Sequence, residues 1–190
     1  MAEHQGPRTP WGLRSRVRRL YGSRRERLLV VPRRALDRRF TPARVQSDDD
    51  HRWLRVELEG DSVIEVGFAG TFRMFGALID TQWTGRVGSV PDKAPRYDYR
   101  FDKKSFRAHS GGDSATAGRY SDETTRRLAG RSELKRLTLR DHANGRLVEL
   151  VPLAGTITAV YFPPMPPYTV PIKAEEADDH ISLVLHLLGL

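Results

Sequence analysis

The chain has 190 residues, 38% of them apolar, with 32 basic residues against 24 acidic ones and a net charge of +8. That length suits one domain with a sizeable core and an appendage. The sequence has no cysteine, which excludes disulfides, thiolate metal sites and a cysteine nucleophile.

The charge is uneven. Residues 1–45 hold thirteen arginines, no lysine and three acids, a net +10, whereas residues 46–190 come to −2. A basic arm on a near-neutral body points to an anionic partner, either a membrane surface or nucleic acid, and is also compatible with a merely solvated tail. The one early apolar run, Leu28–Val31, is too short for a signal peptide, so a cytoplasmic location, peripheral to the membrane, is expected.

Residues 1–10 read as disordered. From Trp11 to Arg27, Leu13, Val17, Leu20 and Leu28 are interleaved with Arg14, Arg16, Arg18, Arg19, Arg24 and Arg25, the pattern of a basic amphipathic helix weakened by Gly22. Residues 1–26 are therefore expected to form an arm and residues 27–190 the folded domain. Leu28–Val31 reads as a first strand stopped by Pro32.

Strand signals then dominate. Leu54, Val56 and Leu58 alternate with polar residues, Gly60-Asp61 turns the chain, and Val63–Phe68 returns. Phe72–Ile79 and Trp83–Val90 read as a second pair, and Tyr97–Phe101 with Ser105–His109 as a third. Ser110–Gly130 reads as a long polar loop with one strand near Thr124–Leu128. Asn144-Gly145 predicts a type I′ turn between Leu134–Leu139 and Leu147–Val151. Gly155–Phe162 and Tyr168–Ile172 complete about eleven strands, with Pro163–Pro167 a stiff connector.

Glu175–Leu190 opens with four carboxylates, suited to a helix N-terminus, and continues with leucines almost all the way round. Such a helix needs burial on most sides and is too short to cross a bilayer. Strands closed into a barrel around it would supply that burial.

Chemical motifs are scarce. Ser110-Gly111-Gly112-Asp113-Ser114 lacks one residue of a pyrophosphate-binding loop, does not follow a buried parallel strand, and shows no helix pattern opening after it. The six histidines show no metal-ligand spacing. Asp48-Asp49-Asp50 reads as solvated, and His186 as a hydrogen-bonded core residue. No catalytic residue, metal site or cofactor is expected, and no enzymatic activity.

The stretch from Asn144-Gly145-Arg146 through Gly155-Thr156-Ile157-Thr158-Ala159-Val160, Tyr168-Thr169-Val170-Pro171-Ile172 and Asp178-Asp179-His180 into the apolar helix resembles the tubby-like superfamily. Within it, the LURP-one-related and phospholipid scramblase-like branch is the most similar. The resemblance implies a closed antiparallel barrel of about twelve strands around a buried C-terminal helix. It also implies a non-enzymatic module that binds phospholipid headgroups. The Pro-rich connector departs from the family pattern, and no headgroup-binding motif of tubby domains matches here. A PH-like barrel with a C-terminal helix is the rival fold. Trp11, Arg14, Arg16, Arg18, Arg19, Arg24 and Arg25 are the candidate contacts to an anionic surface. The alternatives are a nucleic-acid-binding arm and a protein-interaction scaffold.

Overall fold

The computed structural model describes residues 11–41, 44–47, 53–73, 76–88, 97–142, 144–160 and 165–190, with side chains of 11–21 and of 72–73 outside the description. It holds one antiparallel sheet of ten strands and four helices. Helix α1 (Trp11–Arg39) leads into β1 (Val45–Ser47), β2 (Leu54–Glu57), β3 (Val63–Arg73) and β4 (Gly76–Gly88). The hairpin β5 (Tyr97–Asp102) and β6 (Ser105–Ala108) follows, then α2 (Ser114–Tyr120) and α3 (Glu123–Arg131). Strands β7 (Leu134–His142), β8 (Gly145–Pro152), β9 (Ile157–Val160) and β10 (Tyr168–Thr169) lead to α4 (Ala174–Leu188).

The sheet order is β1-β2-β3-β4-β8-β7-β5-β6. Strand β4 is its spine. One edge pairs with β3 from Val63↔Arg86 to Arg73↔Gly76. The other edge is shared, β8 taking Trp83–Gly88 and β9 taking Gly76–Ile79. Four steps along β4, Ile79 to Trp83, face seven along the partner, Leu150 to Ile157. Gly155 (φ +80°) turns the extra residues outward and accepts the Thr81 N–H and hydroxyl.

The two faces differ sharply. Leu54, Val56, Ile64, Val66, Trp83, Leu137, Leu139, Val148 and Leu150 point to the helical side and are buried. The opposite face carries a cross-strand polar ladder in which Arg55 meets Glu65, Gln82 meets Glu149, and Arg140 meets both Glu149 and Asp98. This inside-out alternation is that of an antiparallel sheet wetted on one side. Helix α4 lies on the dry face against β4 and β8, flanked by α1 and α3. From Asp179 to Leu188 no residue of α4 is fully exposed, so the expected burial of this helix holds, supplied by two helices and one sheet face. Gly85 permits the close approach, because a Cβ there would lie 2.4 Å from Val184 Cγ1.

A closed barrel is not what forms. Among the described residues the sheet ends at β1 and β6, which do not pair with each other, and it has ten strands instead of about twelve. Covering one face with helices buries the apolar stripe that closure would have buried.

Other expectations are corrected locally. Leu28–Val31 is not a strand but the middle of α1, which continues through Pro32. Leu28, Leu29, Pro32, Ala35 and Leu36 are buried at spacings one, four, seven and eight from Leu28, one stripe of a helix, and the burial offsets the lost amide hydrogen bond of Pro32. The expected boundary between residues 26 and 27 falls inside this helix. Residues 76–88 form one strand where two separated by a turn were expected. Ser110–Gly130 is two helices, capped by the Asp113 and Asp122 carboxylates, which accept the Thr116 and Thr125 N–H groups at 2.8 and 2.7 Å. The β7–β8 hairpin exists, but His142 pairs with Gly145, so Gly145 is the first strand residue and not part of the loop. Asp48-Asp49-Asp50 and Pro163-Pro164 lie outside the described residues. Among the described residues no helix is long and apolar enough to cross a membrane.

Candidate functional site

Helix α1 carries every expected contact residue. Trp11, Arg14, Arg16, Arg18 and Arg19 fall within its first nine positions. Arg24 and Arg25 do not face a partner freely. Arg24 Nη1 donates to Pro167 O at 2.7 Å and Thr169 Oγ1 at 3.1 Å, and the Arg25 guanidinium lies 5.6 Å from the centre of the Phe68 ring. Both fasten the middle of α1 to the body.

Sequence reasoning missed the cations further along the same helix. Arg27, Arg33, Arg34, Arg38 and Arg39 are exposed. Arg27, Arg34 and Arg38, spaced seven and four apart, form a row on the face turned away from the buried stripe. Arg16, eleven residues before Arg27, has the same angular position on the helix. From Arg16 to Arg38 the row runs about 33 Å. Among its described side chains, Arg38 alone has a carboxylate partner: its Nη2 donates to both oxygens of Asp178, at 3.0 and 2.8 Å. The signal was available: it needed Leu28–Leu36 read as helix.

A second place combines polar groups. Tyr97, Tyr120, Asp113, Arg119, Asp141 and Arg146 line a cleft of ≈ 370 Å³. Tyr120 Oη donates to Asp141, Arg146 Nε lies 3.5 Å from Asp141, and the Arg146 guanidinium sits 5.0 Å over the Tyr120 ring. Arg146 Nη1 also donates to Leu187 O at 2.8 Å, satisfying a carbonyl at the C-terminal end of α4. Burial, and then the bond to Asp141, push the Tyr120 phenol above its usual range. A phenol so held is a donor and not a base, and the network acts as a clasp tying α2, the β7–β8 hairpin and α4 together.

The histidines serve packing. His186 Nε2 lies 2.9 Å from Asp122 Oδ2, joining α4 to the cap of α3, so its hydrogen bond is as expected although it is half-buried instead of a core residue. His142 and His180 are buried, and His180, 1% exposed, lies edge-on to Trp83 with ring centres 5.5 Å apart. Among the described residues no group of three potential metal ligands converges.

No family model, no curated protein and no solved structure matches this chain.

Proposed function

We propose that this protein is a non-enzymatic module that engages an anionic surface through the outer face of α1, with phospholipid headgroups as its target. The observation that carries the reading is the way α1 docks. One stripe, Leu28 to Leu36, is buried in the body, which leaves Arg27 and Arg34 facing outward on a rigid support, in line with Arg38. Cations held in a row on one helix face suit a planar anionic surface, each contributing about 1 kcal/mol near it. Trp11, Leu13 and Leu20 in the first turns supply residue types suited to an interface. The preference for lipid comes from the tubby-like resemblance.

The test is co-sedimentation with vesicles of anionic and of neutral lipid. Full-length protein is expected to bind only the anionic vesicles. Deleting residues 1–22 removes Arg8, Arg14, Arg16, Arg18 and Arg19 but spares Arg24, Arg25 and the buried stripe. It should weaken binding by at least about tenfold while the fold persists. Trp11→Ala should weaken it less.

A second reading rests on the same row of cations. Between Ser23 and Arg39 the outward face of α1 offers few apolar side chains, Val30 at 41% exposure being the exception, which suits a phosphate backbone as well as a bilayer. Binding to DNA or RNA with a steep salt dependence, and no binding to anionic vesicles, would establish that reading in place of the first.

A further inference from the structure

Strands β5 and β7 pair only from Tyr97↔Asp141 to Arg100↔Thr138. Both continue beyond that point, β5 to Asp102 and β7 back to Leu134, yet no ladder joins them there. A groove of ≈ 860 Å³ occupies the opening, which is within the roughly 300–1,000 Å³ of ordinary ligand sites. Its wall on one side is the Leu134–Leu137 edge of β7. The other edge of that segment is held by β8, through Leu134↔Pro152, Arg136↔Val151 and Leu137↔Leu150, with a bulge at Lys135 between the first two pairs. Alternate residues of an antiparallel strand direct their N–H and C=O to opposite sides, so about half of this segment's backbone groups turn toward the groove.

The side chains around the opening are sorted by face. Phe101 and Leu137 belong to the apolar, helix-covered side, where Ala129 also lines the groove. Arg100 and Arg136 belong to the wet side and are exposed. Arg100 stands directly across from Arg107 on β6, an unfavourable pairing of like charges. Asp102 answers Arg107 at 3.1 Å, but among the described residues neither Arg100 nor Arg136 has an ion-pair partner.

We propose that this opening is a docking slot for an extended segment of a partner protein in which acidic and apolar residues alternate. A strand added to the β7 edge would find backbone partners along about four residues, roughly 13 Å. Its side chains would alternate between the two faces of the sheet. Those on one side would meet Phe101 and Leu137, and those on the other would meet Arg100 and Arg136. The period-two pattern of apolar and acidic residues follows from that geometry. A lipid or a nucleic acid could use the arginines but does not present alternating N–H and C=O groups at strand spacing to β7.

The probe is a fluorescein-labelled Glu-Val-Glu-Val-Glu-Val peptide, titrated by anisotropy against the full chain. Binding is expected, together with slowed amide exchange at Leu134–Leu137. The double variant Arg100→Gln, Arg136→Gln, checked for an unchanged melting temperature, should weaken binding by at least about tenfold. N-methylation of alternate peptide amides should abolish it. The proposal is overturned if the peptide does not bind, if the N-methylated peptide or the block sequence Glu-Glu-Glu-Val-Val-Val binds equally well, or if Arg100→Lys, Arg136→Lys loses binding as completely as the glutamine pair. Binding confined to anionic vesicles or RNA likewise overturns it. Deleting residues 1–22 should leave peptide binding intact, which separates this slot from the α1 surface.

Discussion

His180 shows how one side chain sets a pH dependence for the whole fold. Burial alone pushes its imidazole down to about 4. An unfolded chain takes up a proton on this residue below about pH 6.5, while the folded one holds it neutral until about 4. Stability is therefore full above 6.5 and falls as the pH drops through that window, by about 3 kcal/mol from this group. Urea midpoints measured at pH 7 and pH 4.5 should show the loss, and His180→Phe, beside Trp83, should remove most of the difference. Asp122 acts in a lower window. Burial draws its carboxyl upward, but the bonds from Thr125 and the contact with His186 outweigh this and hold it below the usual carboxylate range. What it contributes is present above pH 3.8 and is lost only as the pH falls further. Glycines decide two close approaches. Gly85→Val would drive side-chain atoms into Val184 and Leu188 on α4, and should cost about 1–3 kcal/mol in chemical denaturation. Gly88 (φ +66°) faces Gly145, and a Cβ on Gly88 would lie 2.3 Å from Asn144 O, so the hairpin needs its glycines for contact between strands β4 and β8.

Elements differed in how plainly the sequence announced them. Strands β2, β3 and β5 alternate because one face is wet, and alternation is what a one-sided sheet imposes. The same alternation could not say whether a helix layer or barrel closure covers the dry face, since both ask for the same pattern. Helix α1 was misread at Pro32, where a rule about strands was applied to a helix whose burial at Leu28, Leu29, Ala35 and Leu36 outweighs the proline's cost. Helices α2 and α3 are short and polar, and the legible signal was their capping: Asp113 three residues before Thr116, Asp122 three before Thr125, and Thr125, Leu128 and Ala129 on one buried face. Of the candidate surface, the identity of α1 was legible, but Arg24 and Arg25 were assigned to the partner when their contacts lie with the body. Leu36 tests the element directly. It is wholly buried, and Leu36→Ala should lower stability by about 2–5 kcal/mol, whereas the same measurement on Val30→Ala, on the exposed side, should register under about 0.5 kcal/mol.

For the molecule as a whole, the division into a wet sheet face and a helical face separates support from contact. Charge pairs cover the outer sheet face, while among the described residues Arg27 and Arg34 on α1 and Arg100 and Arg136 at the β5–β7 opening have no ion-pair partner. Removing Ile181–Leu190 should unfold the protein, because Ile181, Leu183, Val184 and Leu187 fill the space between the sheet and the two flanking helices. Loss of the cooperative transition by circular dichroism is the expected result, and a native-like melt after this deletion would show that the core lies elsewhere.

The contact between α1 and α4 has a consequence in time. Arg38 and Asp178 meet in the finished fold although 140 positions separate them. A ribosome adding about 5–20 residues each second needs roughly 7–30 s to travel that distance. Throughout that interval the Leu28–Leu36 stripe is already made and α4, which packs against α1, is not. Part of the stripe can pack earlier, Leu28 against Ile79, Ile157 and Ala159 of the sheet, but the α4-facing side of α1 stays open while all ten strands are made. The order of synthesis thus leaves the joint between the first and last helices as the final part of the core to close.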